Sequence, residues 1–249
     1  IMYPVDLEEV EELGADVFFK NKRHYPDRQK SVLENIMPAS CEYCIESAPN
    51  SIKNVWNVWR DDFIEEQGTD LVDAVHTKHI EIDVGRSCDM ACVYCGPRSS
   101  STWSKELGVK WDVDEDLSEA WADRVLEALR EYILTLPRDQ QITFNLLGGE
   151  PLLVTRSYDI IEYLAETCCD FEHKPILMIT TNLNCKPALI KKLEKTMKKT
   201  ADIFEWQIAI SIEDVGHRAE RVRHGLKWDR FTENVEVVKG LADKIYITM

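Results

Sequence analysis

The sequence predicts an α/β protein built on a parallel β-sheet. Five short, mostly apolar segments have the pattern of β-strands, and segments with helical periodicity separate them along the chain. Alternation of this kind is typical of parallel sheets with right-handed crossovers. A doubly wound sheet and a whole or partial (β/α) barrel both agree with this order.

The predicted strands are defined by their apolar patterns and by the residues that end them. Residues 79–84 (HIEIDV) alternate apolar and polar side chains and stop at Gly85, and residues 141–147 form an apolar run that stops at Gly148 and Gly149. The remaining predicted strands are residues 175–181, 205–212 and 244–249.

The predicted helices lie between these strands. Residues 118–136 carry apolar side chains at helical spacing and acidic side chains in the first turn. Pro187 suits the first turn of a helix that extends to Lys198, because its missing N–H has no helical partner there. Residues 157–168 and 229–241 are also predicted to be helical.

The first part of the chain differs from the rest. Residues 1–75 are acidic and aromatic, with prolines between helix-like segments at 6–13 and 55–66. We therefore expect an N-terminal extension, residues 1–75, and a core, residues 76–249. Because the chain begins without Met and ends on a predicted strand, we also expect it to be a piece of a longer protein.

Charge and hydropathy exclude some classes of function. The chain of 249 residues has 45 acidic and 30 basic side chains and a net charge of −15. This charge argues against extensive, sequence-independent binding of nucleic acid. No run of about 18 apolar residues is present to span a membrane. The first residues have neither the basic region nor the apolar run of a secretion signal, so none is expected there. The expected location is the cytoplasm.

The cysteines indicate a metal site. Eight unevenly spaced cysteines in an expected cytoplasmic chain favour metal binding over a disulfide framework. Cys88, Cys92 and Cys95 form a C-x3-C-x2-C loop after the first strand, where three thiolates can bind one [4Fe–4S] cluster and leave its fourth iron open. The alternatives are a zinc knuckle completed by Cys41 and Cys44, or an electron-transfer cluster with a fourth cysteine.

The cysteine loop together with the turn at residues 148–151 (GGEP) resembles the radical S-adenosylmethionine (SAM) superfamily. The resemblance implies a partial (β/α)6 TIM-like barrel, truncated here near its fifth strand. It also implies a [4Fe–4S] cluster whose open iron binds the amino and carboxylate groups of SAM. An electron from the reduced cluster then cleaves SAM to a 5′-deoxyadenosyl radical.

The resemblance assigns roles to residues near the cysteines. Tyr94 would pack near the adenine of SAM. The backbone of Gly148 and Gly149, with the carboxylate of Glu150, would engage the methionine ammonium group.

Later strand ends supply further polar candidates for cofactor binding. By the resemblance, Ser211 would contact the ribose or the carboxylate of SAM, with Asn182 nearby; Glu213 lies just beyond the same strand. Arg223 could bind the carboxylate of SAM or of a substrate through its rigid donor fork. The alternative roles are a helix-capping turn residue for Ser211 and a surface or packing arginine for Arg223.

Two segments point to a narrower group. Residues 96–103 (GPRSSSTW) and 221–229 (RVRHGLKWD) resemble the twitch-domain branch of the superfamily, which is related to the SPASM peptide-modifying enzymes. Members of that branch carry an upstream C-x2-C similar to Cys41 and Cys44. This pair is either a second metal site or a pair of reduced structural thiols.

The sequence therefore predicts an enzyme that generates a radical from SAM and abstracts hydrogen from a substrate. Analogy favours a peptide or protein substrate, with a nucleotide or small metabolite as the alternative. No flavin or nicotinamide fingerprint is present, so the electron must come from elsewhere. The resemblance implies a flavodoxin or ferredoxin as the external donor. A different class of function is a non-catalytic iron–sulfur or zinc-binding module for electron transfer or protein interaction.

Overall fold

The computed structural model describes residues 78–109 and 119–248, together with residues 33–36 and isolated positions between 8 and 14 and between 57 and 65. The chain divides into two compact units, Ile1–His76 and Thr77–Met249. Cys41 and Cys44 lie outside the described residues, so their predicted role as a second metal site stays a prediction.

The described part of the second unit alternates strands and helices. In chain order they are β1 (His79–Asp83), β2 (Ala91–Cys92), α1 (Ser101–Leu107), α2 (Glu119–Leu134), β3 (Thr143–Leu147), α3 (Thr155–Thr167), β4 (Ile176–Thr181), α4 (Pro187–Thr200), β5 (Glu205–Ser211), α5 (Gly216–Val222), β6 (Arg223–His224), α6 (Trp228–Lys239) and β7 (Lys244–Thr248). A 3₁₀ turn, Pro151–Leu153, precedes α3.

The main sheet has five parallel strands in the order β1-β3-β4-β5-β7. This spatial order is also the chain order, so each strand is added on the same side of the one before it. A doubly wound sheet would reverse direction at a switch point, and this sheet does not. The predicted α/β fold with a parallel sheet is confirmed, and the strand order is that of a partial (β/α) barrel.

One face of the sheet packs against helices and forms the core. Phe144, Leu177 and Trp206 are register partners on three adjacent strands and are at most 1% exposed. Burial of each such side chain stabilises the fold by about 1.5–3 kcal/mol. The apolar alternation of the strands is therefore explained by this buried face.

The opposite face carries both polar and apolar side chains. Asn145, Met178 and Gln207 lie in one row across β3, β4 and β5, and Asn145 and Gln207 are buried. Thr180 Oγ1 donates to Asn145 Oδ1 at 3.2 Å. Because successive side chains of a strand point to opposite faces, these groups line the side away from the apolar core.

Three short elements were not predicted from the sequence: α1, α5 and the β2–β6 pair. The two strands of that pair are antiparallel, with Cys92 opposite Arg223. The pairing is extended by a hydrogen bond from Val93 N to Val222 O at 2.9 Å. The β2–β6 pair joins the cysteine loop to the segment that follows β5.

In the part of the chain that the structure describes, no helix has the length and apolar character needed to cross a membrane.

Candidate functional site

The predicted site residues converge at the carboxyl edge of the sheet. The cysteine loop follows β1, the turn at residues 148–151 follows β3, and residues 182–186 follow β4. Carboxyl ends of parallel strands share one edge, where α/β proteins bind ligands. The order of the strands therefore brings together loops that are far apart in sequence.

Helix α1 fixes the backbone of the cysteine loop. Its N-cap, Ser100, accepts a hydrogen bond from Trp103 N, as serine commonly does at this position. Three side chains at the start of the helix each donate to a carbonyl of the loop: Ser100 to Met90 (2.6 Å), Thr102 to Cys88 (2.7 Å) and Trp103 to Cys92 (2.8 Å). The loop therefore has a defined shape that does not depend on the cysteine side chains.

The three thiols have the chemistry that an iron–sulfur cluster requires. All three are free; Cys92 is buried, while Cys88 and Cys95 are half-buried. Burial raises the pKa of Cys88 to about 12 and also raises the pKa of Cys92. Both thiols are therefore neutral until a cation displaces the proton, as metal ligation does.

Among residues 78–109 and 119–248, no three His, Cys, Asp or Glu side chains converge closely enough to hold a single metal ion. A four-iron cluster binds each thiolate to a different iron, so its ligands need not meet at one point. The set of three thiols on one fixed loop fits such a cluster.

Two of the other described cysteines lie far from this loop. Cys168 is the C-cap of α3, and Cys169 follows it. Helix α3 starts at the carboxyl edge of the sheet and its 13 residues run back for about 20 Å, towards the opposite edge. Cys185 follows β4 but is buried, with Asn234 Nδ2 3.7 Å from its Sγ.

The glycines after β3 pack against the start of the cysteine loop. Gly149 N donates to Gly85 O and Glu150 N donates to Ser87 O, each at 2.7 Å. A Cβ on Gly149 would lie 2.6 Å from Ser87 O, and one on Gly148 would lie 2.5 Å from Gly85 O. Gly148 also has a φ of +131°, which other residues rarely adopt. The glycines are thus required by the contact between turn and loop, a role that the sequence did not indicate.

The Glu150 carboxylate joins the ends of β3 and β4. It is 1% exposed and accepts three hydrogen bonds, from Thr181 Oγ1 (2.6 Å), Asn182 N (2.7 Å) and Leu152 N (3.1 Å). Burial raises its pKa to about 7, against the effect of these donors. The predicted contact of Glu150 with an ammonium group stays a prediction, and the structure adds a positioning role.

The raised pKa of Glu150 predicts a pH-dependent stability. The folded state holds the proton more tightly than the unfolded state, whose carboxyl has the ordinary pKa of 4.5. Stability contributed by the protonated form is therefore complete below about pH 4.5 and is lost as the pH rises through about 7, by up to about 3 kcal/mol.

Urea unfolding at pH 5 and pH 8 checks this prediction. The unfolding free energy of the wild type is expected to fall relative to that of Glu150→Gln as the pH rises. Glu194→Gln, on the exposed face of α4, is the control and should follow the wild type. Parallel pH profiles for the wild type and Glu150→Gln would contradict the prediction.

A polar network that sequence reasoning missed holds the loop from a second side. Asp89 accepts hydrogen bonds from Asn182 Nδ2 at 3.4 Å and from Asn184 Nδ2 at 3.3 Å. Asn184 also donates to Gly225 O and accepts from Lys227 N. The predicted cofactor residue Asn182 thus contacts the cluster loop. Asn184 carried no signal in the sequence, because its partners lie 41–95 residues away.

Ser211 ends β5 at the same edge of the sheet. Its hydroxyl lies 3.2 Å from Thr248 Oγ1 at the end of β7, and the residue is half-buried. The structure therefore brings Ser211 to the edge that carries the cysteine loop. Its contact with a ribose or carboxylate stays a prediction.

Arg223, Glu213 and Tyr94 form one group beside Cys92. Arg223 Nε lies 2.6 Å from Glu213 Oε2, and its Cζ lies 5.5 Å from the centre of the Tyr94 ring. Burial opposes ionisation of Glu213, but hydrogen bonds from Arg223 and Tyr94 outweigh it and lower the pKa of this carboxyl. Arg223 is therefore not a surface arginine, and its guanidinium group is already bound by Glu213.

Comparison with known protein families and structures identifies the family of this chain. A family model described as the radical SAM superfamily matches residues 82–249, well over half of the chain. The chain belongs to the radical SAM superfamily. No curated protein matches it. Among solved structures, this radical SAM chain is similar to a histidine-tagged protein described as "anSMEcpe with bound AdoMet", with 17% identity and a TM-score of 0.45. The similarity covers 68% of this chain and 43% of that one, so the chain spans less than half of that protein.

Membership of the radical SAM superfamily implies a [4Fe–4S] cluster and SAM as cofactors. The matched region includes the three thiols, the glycine turn and Arg223. Soft thiolate ligands on a fixed loop are what an iron–sulfur cluster needs. The residues of this radical SAM protein therefore fit the cofactors that its family implies.

Proposed function

We propose that the chain is the core of an enzyme that carries out SAM-dependent radical chemistry on a peptide or protein substrate. The observation that supports this most is the direct contact between the cysteine loop and the turn after β3. Two backbone hydrogen bonds of 2.7 Å join these segments. A module that only stores or transfers electrons has no need for this turn.

The proposal assigns a task to each group of residues. Cys88, Cys92 and Cys95 would each bind one iron of the cluster and leave one iron to chelate SAM. When bound and reduced, the cluster supplies the electron that cleaves SAM to methionine and a 5′-deoxyadenosyl radical, which abstracts hydrogen from the substrate. The turn at residues 148–150 would hold the methionine end of SAM, and Tyr94 would lie near the adenine.

The contacts of the loop explain how the chain orients these groups. Side chains of α1 hold the loop carbonyls from one side, and Asp89 is bound by Asn182 and Asn184 from another. Reactive groups held by a rigid scaffold need little reorganisation during the reaction. Burial of Glu150 and Asn182 behind the loop limits the access of water from that side.

We assign the chain to the twitch-domain branch on two segments that contact the same loop. Residues 96–103 include the side chains that bind the loop carbonyls, and Arg223 lies opposite Cys92 in the β2–β6 pair. The shared position of both segments supports their resemblance to one branch. That branch is related to peptide-modifying enzymes, which favours a peptide or protein over a nucleotide or small metabolite. An external flavodoxin or ferredoxin would donate the electron.

Reconstitution of the cluster tests the proposed function. Anaerobic protein loaded with iron and sulfide, reduced with dithionite and mixed with SAM is expected to form 5′-deoxyadenosine and methionine. SAM is also expected to change the electron paramagnetic resonance (EPR) spectrum of the reduced cluster, because it binds the open iron. Omission of dithionite is the control and should abolish product.

Two outcomes would overturn the proposal. An intact reduced cluster whose EPR spectrum does not respond to SAM would indicate four protein ligands and a non-catalytic module. A responding cluster that never cleaves SAM would exclude the radical reaction. For the substrate class, deuterium transfer from labelled peptides into 5′-deoxyadenosine supports the proposal, whereas transfer only from labelled nucleosides contradicts it.

A further inference from the structure

A buried cation lies beside one of the three thiols. Arg223 is 5% exposed, and its Nη1 lies 3.9 Å from Cys92 Sγ. The two residues are direct partners across the antiparallel β2–β6 pair, so the backbone itself sets their separation. Directly opposed residues of such a pair have their side chains close together.

Glu213 fixes the guanidinium group by binding two of its three nitrogens. Arg223 Nε lies 2.6 Å from Glu213 Oε2, and a second nitrogen, Nη2, lies 2.5 Å from Glu213 Oε1. The remaining nitrogen, Nη1, is the one that faces the sulfur. A fork occupied in this way is poorly placed to bind a carboxylate of SAM or of a substrate as well.

The ion pair between Arg223 and Glu213 is partly shielded from water. The Arg223 side chain is 6% exposed and that of Glu213 is 24% exposed, so water screens the ion pair less than it would at the surface. The Tyr94 ring lies over the guanidinium, with the ring centre 5.5 Å from Cζ. A charge change at Arg223 is therefore screened less by water than one at the surface.

We infer that Arg223 and Glu213 are positioning residues that set the reduction potential of the cluster through Cys92. Reduction adds one electron, and hence one negative charge, to the cluster and its thiolates. A nearby cation stabilises the reduced form and raises the potential, whereas a nearby carboxylate lowers it. The two side chains should therefore act in opposite directions. This inference rests on the proposed function, because it requires a cluster on Cys92.

An EPR-monitored redox titration of the reconstituted protein, with dithionite as reductant and without SAM, tests the inference. Arg223→Gln is expected to lower the ratio of reduced to oxidised cluster at a fixed potential by about tenfold or more, which is about 59 mV for one electron. Glu213→Gln is expected to raise that ratio. The double variant should lie between the two single variants.

An exposed ion pair between two helices supplies the control. Lys199 on α4 and Glu162 on α3 form this pair, with 59% and 52% of their side chains exposed. Lys199→Gln and Glu162→Gln change the charge as the two test variants do, at sites that water screens. Both control variants are expected to keep the wild-type potential. Arg223→Lys retains the positive charge and should shift the potential less than Arg223→Gln does.

The outcomes separate this inference from the proposed function. Equal shifts in the control and test variants, shifts of Arg223→Gln and Glu213→Gln in the same direction, or unchanged potentials would overturn the inference even if the wild type cleaves SAM. If Arg223→Gln fails to hold iron, the direction of the Glu213→Gln shift decides the matter alone. A wild type that binds no cluster would overturn the proposed function together with the inference.

Discussion

Replacement of Cys88 with Ala is expected to abolish cluster binding while the fold stays intact. The side chain is half-buried, and the loop backbone is held by Ser101 and Thr102, which bond to the backbone of Cys88 and not to its thiol. Loss of one of three thiolates should lower bound iron at least about tenfold and SAM cleavage at least about a hundredfold. Iron and sulfide analysis with quantification of 5′-deoxyadenosine measures both effects.

Cys169→Ala is the matched control for this variant. Cys169 is exposed and follows the end of α3, away from the cysteine loop. The control should bind iron and cleave SAM as the wild type does. Full iron binding by Cys88→Ala, or loss of iron from the control, would show that the cluster lies elsewhere. Circular dichroism of both variants should match that of the wild type.

Replacement of Gly149 with Ala is expected to separate the turn after β3 from the cysteine loop. The new Cβ would lie 2.6 Å from Ser87 O and 2.7 Å from Arg86 C, and both are backbone atoms that cannot rotate away. The overlap should cost about 1–3 kcal/mol of stability. Disruption of the hydrogen bonds from Gly149 N to Gly85 O and from Glu150 N to Ser87 O adds about 1 kcal/mol each.

Urea unfolding and iron uptake together measure the effect of Gly149→Ala. Gly96→Ala is the control, because it places the same extra methyl group in the same loop with no atom within 4 Å. Its stability should stay within about 0.5 kcal/mol of that of the wild type. If both variants bind iron and unfold like the wild type, the close contact at Gly149 does not matter for the site.

The main sheet could be predicted from local patterns because its strands carry their own signals. The strand at Ile176–Thr181 consists of apolar and β-branched side chains, which favour strand structure. Pro187 is the first residue of α4, as predicted from its missing N–H. The β2–β6 pair has only two residues in each strand, and they lie more than 130 residues apart, so no periodicity reveals it.

The candidate site was only partly predictable for the same reason. The spacing of Cys88, Cys92 and Cys95 is local and places them on one loop. The burial of Glu150 runs against the usual exposure of carboxylates and depends on β4 lying beside β3. The contact of Arg223 with Glu213 and Cys92 depends on β6, which the sequence did not indicate.

The bonds from α1 to the cysteine loop bear on how a cluster is assembled. Fixing a flexible backbone costs about 1–2 kcal/mol of conformational entropy for each residue. Here the side chains of Ser100, Thr102 and Trp103 bind loop carbonyls, and none of these bonds involves a thiol. The bonds belong to the fold itself, so they offset part of the entropy cost of arranging three thiols around a cluster.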